Sequence, residues 1–206
     1  MKTIAIVSRK GGSGKSTLAI HLAVAAVIDG REVAIVDLDP QASCAKWSDS
    51  RESETPVVVS AQASRLDKVL SAAKDEGADL VFIDTSPHAE TAALAAIRAA
   101  NLILIPCRPT ILDLRAIDDT VDLIKLAKKT LVAAVVLNAV PSQGSLGDEA
   151  EEAIANYKIP VAPVKIGHRS AFVRSLTDGL TALEYEPKGK AAKEILELYK
   201  WTCTQV

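Results

Sequence analysis

Short apolar runs alternate with stretches of helical periodicity along nearly the whole chain. Residues 3–7, 32–37, 79–84, 102–106 and 131–137 are each almost continuously apolar and read as strands buried on both faces. Residues 57–59 read as a weaker strand and 161–166 as a short one. After the first run, Leu18, Leu22, Ala25, Ala26 and Ile28 recur near helical spacing up to a stop at Gly30. Further helices are predicted over 64–75, 89–99, 113–129, 148–156, 168–178 and 188–201, with a polar loop over 37–43 and a flexible one over 142–147. Strands that lack a polar face and alternate with helices need cover on both sides, which is the condition of a parallel sheet. The predicted fold class is therefore α/β: a single doubly wound, mostly parallel sheet with helices on both faces. In such sheets ligands collect outside the carboxyl ends of the strands. Asp37 and Asp84 both end predicted strands.

Composition narrows the class. The 206 residues suit one domain over 1–206, because halves would fall near the lower limit of stable size. Hydrophobic residues make up 49% and charged residues 24%, a globular balance, and with only 3% aromatics the core must be built from Ala, Val, Leu and Ile. A net charge of −2 and a pI near 6.0 exclude a chain basic throughout, so any nucleic-acid contact must come from a local patch. Cys44, Cys107 and Cys203 show no metal or redox spacing, and an odd count suits a reducing cytoplasm. No uncharged run approaches the roughly 18 residues of a membrane span. Met1-Lys2 leads straight into the first strand, so neither a signal peptide nor an N-terminal DNA-reading domain is expected.

The chemistry concentrates in Ser8-Arg9-Lys10-Gly11-Gly12-Ser13-Gly14-Lys15-Ser16-Thr17, between the first strand and the first helix. Strand, glycine loop and helix form the setting of a phosphate-binding loop. Glycines let the backbone wrap an anion with its N–H groups inward, and the helix adds its positive end. Lys15 would reach the β- and γ-phosphates and the Ser16 hydroxyl would take a position on Mg²⁺. The general motif asks for glycine at position 9, where this chain has Arg9, and a second lysine, Lys10, precedes the glycines. Asp84, ending an apolar strand before Thr85-Ser86-Pro87, has the form of an acid that holds Mg²⁺ through water opposite Ser16. Asp37 and Asp39 are two apart, so an extended backbone would turn both to one side, where they repel unless a cation is near or one is protonated.

The string from Lys10 to Ser16 resembles the deviant Walker A loop of the ParA/MinD family of ATPases. That resemblance runs over nearly the whole chain and implies ATP and Mg²⁺ as cofactors, with Lys10, Gly11, Gly12, Ser13, Gly14, Lys15, Ser16 and Thr17 around the phosphates. It implies that Lys10 crosses a homodimer interface to the partner's nucleotide. It also implies that Asp39, in Asp37-Leu38-Asp39-Pro40-Gln41, positions the attacking water while Asp37 supports the metal shell. Asn138, at a strand end, matches a position that contacts adenine in relatives, where some carry arginine next and this chain has Ala139. Pro106-Cys107-Arg108-Pro109-Thr110 with Asp113 matches a segment packed near the nucleotide and the dimer seam. Ser86 stands where many relatives have a second proline.

Towards the end, Leu183-Glu184-Tyr185-Glu186-Pro187-Lys188-Gly189-Lys190 resembles the corresponding part of small plasmid-type ParA proteins. In those relatives basic residues here bind DNA without sequence preference, which implies Arg169, Arg174, Lys188, Lys190 and Lys193 as DNA contacts, the two arginines sharing a broad helical face. The resemblance implies a positioning ATPase that is nucleoid-associated in the cytoplasm, dimerises with ATP, binds DNA and is released on hydrolysis stimulated by a ParB-like partner. The cargo could be a plasmid, a chromosome or another large body. A MinD-like membrane switch is the alternative, but Glu194 and Glu197 on the last helix would face anionic lipid, so no membrane contact is expected. An iron–sulfur reductase would need a paired-cysteine motif that Cys44 and Cys107 do not supply, and a scaffold with negligible hydrolysis is a further possibility. His21, His88, Trp47 and Trp201 are expected to pack or face solvent.

Overall fold

The computed structural model, which describes residues 1–127 and 132–206, contains strands β1 (Lys2–Ile6), β2 (Val33–Asp37), β3 (Val57–Ser60), β4 (Leu80–Asp84), β5 (Leu102–Cys107) and β6 (Val132–Leu137). They form one sheet in the order β3-β2-β4-β1-β5-β6. Every pairing in it is parallel. Alternate residues of β1, β2, β4, β5 and β6 feed opposite cores, while β3 lies at the edge and is mostly exposed. Ile4, Ile6, Ile35, Phe82, Leu102 and Leu104 pack beneath α1 (Lys15–Ile28) and α9 (Lys190–Thr204). Ala5, Val36, Val81, Ile83 and Ile103 pack beneath α4 (Glu90–Ala99) and α5 (Ile111–Leu126). Both faces are covered, as uniformly apolar strands require.

The remaining helices are α2 (Ser43–Asp49), α3 (Leu66–Asp75), α6 (Leu146–Ile154), α7 (Ser170–Thr177) and α8 (Ala182–Tyr185). Two of them, α2 and α8, fall where no helix is predicted. The predicted strand over 161–166 is replaced by two isolated bridges, Val135 with Val161 and Val140 with Gly167. Pro163 has no N–H to give to a ladder, so the segment touches β6 only through bonds such as Ala162 N–H to Val135 O (2.8 Å) and Ile166 N–H to Leu137 O (2.9 Å). The predicted helix over 168–178 starts at Ser170, which leaves Arg169 extended at its N-cap. The end of the helix predicted over 113–129, and Leu131 of the last long strand, lie outside the described residues.

Register places the site. Ile6 pairs with Asp84, and Asp84 pairs with Asp37. Two carboxylates and the start of the glycine loop therefore leave three adjacent strands at the same level, at the carboxyl edge.

Candidate functional site

Residues 8–14 wrap from β1 into α1, and Gly14 caps the helix at φ 100°. Only glycine fits here. A Cβ would stand 2.1 Å from the Asn138 Nδ2 atom, and that same amide donates to the Ser13 carbonyl at 2.7 Å. Asn138 thus braces the underside of the loop from the end of β6. Ser13 is fully buried, and its hydroxyl oxygen has no hydrogen-bond partner among the described residues.

Lys15 opens α1 and is 6% exposed. Its ammonium donates to the Lys10 carbonyl at 3.2 Å and makes no ion pair among the described residues. Burial pushes its pKa down, while the charges of Asp84 and Asp39 push it back up. Beside it, the Ser16 hydroxyl donates to Asp84 Oδ2 at 2.5 Å. Burial raises the Asp84 carboxyl to about 6, against the Ser16 bond and with help from Asp37. Its other oxygen, Oδ1, is buried and unpartnered among the described residues. A buried carboxylate with one open oxygen beside a serine hydroxyl is the hard donor set that Mg²⁺ takes, with water filling the other positions.

Asp37 and Asp39 separate rather than face one cation together. Asp37 is buried and caps α2: Oδ2 accepts from the Cys44 and Ala45 N–H groups (2.9 and 3.3 Å), and Oδ1 from the Asp39 N–H (3.0 Å). Burial raises its pKa, and these three backbone bonds oppose the rise. Asp39 instead lines an open cavity, one oxygen accepting from the Gln41 N–H at 2.9 Å. The Cys44 thiol donates to Asp84 Oδ2 at 3.4 Å, so Asp37, Cys44 and Asp84 converge with ligand atoms within 4.8 Å of one another. Nothing in the spacing of Cys44 announces this.

The cavity holds about 670 Å³ and is lined by Gly12, Lys15, Ser16, Thr17 and Asp39, then by Trp47 and Leu176 on its far wall. Its size is that of a small-molecule site. Pro87, after β4, lies 4.0 Å from where a Gly11 Cβ would be, and an Arg108 nitrogen, after β5, 3.4 Å from that of Gly12. The loops after β1, β2, β4 and β5 thus meet on one site. Lys10 is half-buried, with no ion pair among the described residues.

The basic residues of the C-terminal part are elsewhere and fall into two kinds. Arg169 stands at the N-cap of α7 rather than on the helix with Arg174, and its guanidinium is held by both oxygens of Glu194. Arg174, Lys188, Lys190 and Lys193 are exposed and form no ion pair among the described residues. Trp47 is a packing residue, its indole donating to Leu180 O at 3.3 Å under the Arg51 guanidinium.

Residues 4–182 match a family described as the CobQ/CobB/MinD/ParA nucleotide binding domain. Maintenance of carboxysome distribution protein A from Gloeobacter kilaueensis is 31% identical over 197 residues, covering 94% of this chain and 88% of that one. Among solved structures, a Cyanothece McdA variant in complex with ATP superposes with a TM-score of 0.77 at 18% identity, covering 98% of this chain and 96% of that one. The septum site-determining protein MinD of Pyrococcus horikoshii, complexed with Mg-ADP, does so at 0.74 and 21% identity, covering 100% and 98%.

Proposed function

The chain belongs to the CobQ/CobB/MinD/ParA nucleotide-binding family, and from that premise we propose that it is a Mg²⁺-dependent ATPase of the ParA positioning type. The observation that carries the reading is the carboxyl edge itself. A glycine loop there ends in a buried Lys15 with no ion pair among the described residues, within the field of Asp84, whose Oδ1 has no partner among them, and relatives of the same fold are complexed with ATP or Mg-ADP. In this reading the loop N–H groups of 11–17 and Lys15 hold the phosphates, and Ser16 and Asp84 hold Mg²⁺ with Asp37 behind them. Mg²⁺, when bound, neutralises charge on the phosphate oxygens. Asp39, alone of the two loop acids in reaching the cavity, orients the attacking water. Asn138 sets the loop from below and would contact the adenine base. Lys10 reaches the nucleotide of a second copy, which makes the ATP state a homodimer.

That dimer binds DNA non-specifically through Arg174, Lys188, Lys190 and Lys193, with Arg169 holding the surface in place through Glu194. Hydrolysis, stimulated by a ParB-like partner, releases it in the cytoplasm, so a large cargo follows the bound ATPase. A membrane-bound version is disfavoured by α9, whose Ile195, Leu198 and Tyr199 are buried against the core. No helix among the described residues is long and apolar enough to cross a membrane. The test is DNA retention with MgATP. Wild type should be retained and released as ATP is consumed, Lys15→Ala should not be retained, and Asp39→Ala should stay bound. Equal retention of wild type and Lys15→Ala would reject the switch.

A further inference from the structure

A cation beside the loop remains without a task. β5 runs three residues past its last pairing with β1, Ile6 with Leu104, before the chain turns. Arg108 therefore emerges next to the glycine loop, one nitrogen 3.4 Å from the Cβ position at Gly12. Its backbone is clamped on both sides. The Cys107 carbonyl accepts from the Asn138 N–H at 2.8 Å, and the Arg108 carbonyl accepts from the Thr110 N–H at 2.8 Å. Thr110 in turn caps α5, its hydroxyl donating to Asp113 Oδ2 at 2.6 Å. The nearest acid in sequence is thereby engaged elsewhere, and Arg108 makes no ion pair among the described residues. It lines the same cavity as Lys15.

The two cations differ in depth and kind. Lys15 is buried at the floor, whereas Arg108 is exposed at the mouth. A linear polyphosphate lying along the loop meets Lys15 at the floor with its β- and γ-groups and presents the outer side of the last group to Arg108 at the mouth. Guanidinium is a planar fork that matches phosphate oxygens two at a time, and an unpaired one on a fixed mount loses little freedom in doing so. We infer that Arg108 contacts the terminal phosphate of the bound nucleotide and makes the site prefer a triphosphate to a diphosphate. This rests on the nucleotide reading above.

The test is calorimetric titration of the full chain, in Mg²⁺, with ATPγS and separately with ADP. Arg108→Gln should weaken ATPγS about tenfold and ADP less than about twofold, the loss expected for one charge-assisted contact. Arg108→Lys should recover part of the ATPγS affinity, because an ammonium keeps the charge and loses the fork. Arg108→Gln that binds both ligands as wild type does, or loses both equally, would overturn the inference. If wild type itself binds neither, the nucleotide reading fails first and this inference with it. Because Arg108 is exposed and makes no ion pair among the described residues, an unchanged melting temperature for Arg108→Gln certifies that the fold is intact.

Discussion

Arg51 and Arg169, in the helical flank, each close on a glutamate, while Lys10, Lys15 and Arg108 at the carboxyl edge of the sheet close on none among the described residues. The contrast is sharpest between two buried cations. The Arg51 side chain is 4% exposed, fitted to Glu184 by two hydrogen bonds of 3.0 and 2.7 Å and stacked on Trp47. Lys15 is buried too and has one carbonyl as its partner among the described residues. A buried charge without a partner costs several kcal/mol, so it persists where something other than stability selects it. The flank uses charge to hold itself together, and the edge holds charge in readiness for an anion from outside.

Substitutions at the two cations should therefore separate binding from stability. Lys15→Ala should weaken nucleotide binding by at least about a hundredfold, for loss of multiple charged hydrogen bonds, without lowering the melting temperature of the nucleotide-free protein. Arg51→Ala should do the reverse. It leaves Glu184 with Thr181 as its remaining partner and should lower unfolding free energy by about 3 kcal/mol in urea titrations, with nucleotide affinity little changed. A destabilised Lys15→Ala would erase the distinction.

Acid should attack the flank first. His21, fully buried, donates from Nδ1 to Thr17 O (2.8 Å) and accepts at Nε2 from the Ala182 N–H (3.0 Å), so it is neutral in the fold and joins α1 to α8. Burial lowers its pKa from 6.5 to about 4. Between those values the unfolded chain holds the extra proton, so stability falls as pH falls through that window, by about 1.4 kcal/mol per pH unit. Glu184 then adds to the loss. Burial raises its carboxyl, but Arg51 and Thr181 outweigh burial and hold it below 4.5, so its contribution is present above 4.5 and disappears as acid protonates it. Urea titrations across pH 7 to 3 check both, and in Arg51→Ala the second step should shrink, because only the Thr181 bonds then hold the carboxyl down. A smaller effect belongs to the exposed lysines. Lys190→Ala and Lys193→Ala should each reduce the salt slope of DNA retention by about one, whereas Arg169→Ala should leave it unchanged.

Much of this was legible in the residues. Most strands show because each is almost continuously apolar, and two of them, β2 and β4, carry an acid at the carboxyl end. The loop shows because its glycines and lysines stand between a strand and a helix. What was hidden depends on contacts across the fold. Helix α2 has no start signal of its own, since its cap is the Asp37 carboxylate seven residues before Cys44. Asp37 and Asp39 share a spacing but not a task, because one turns back to that cap and the other reaches the cavity. Arg169 fits a helical pattern, yet Glu194 draws it off the helix. The segment around Arg108 could be matched to the nucleotide region, but its approach to Gly12 shows only where β5 overruns β1.

The central claim is that the edge's unpaired cations are completed by a nucleotide and a second copy. Light scattering on the wild-type chain with Mg²⁺ tests it most directly. The account predicts twice the 21.7 kDa mass of one chain with ATPγS, and a single chain with ADP or in Lys10→Ala with either ligand. A 21.7 kDa particle in saturating ATPγS at high protein concentration would contradict it.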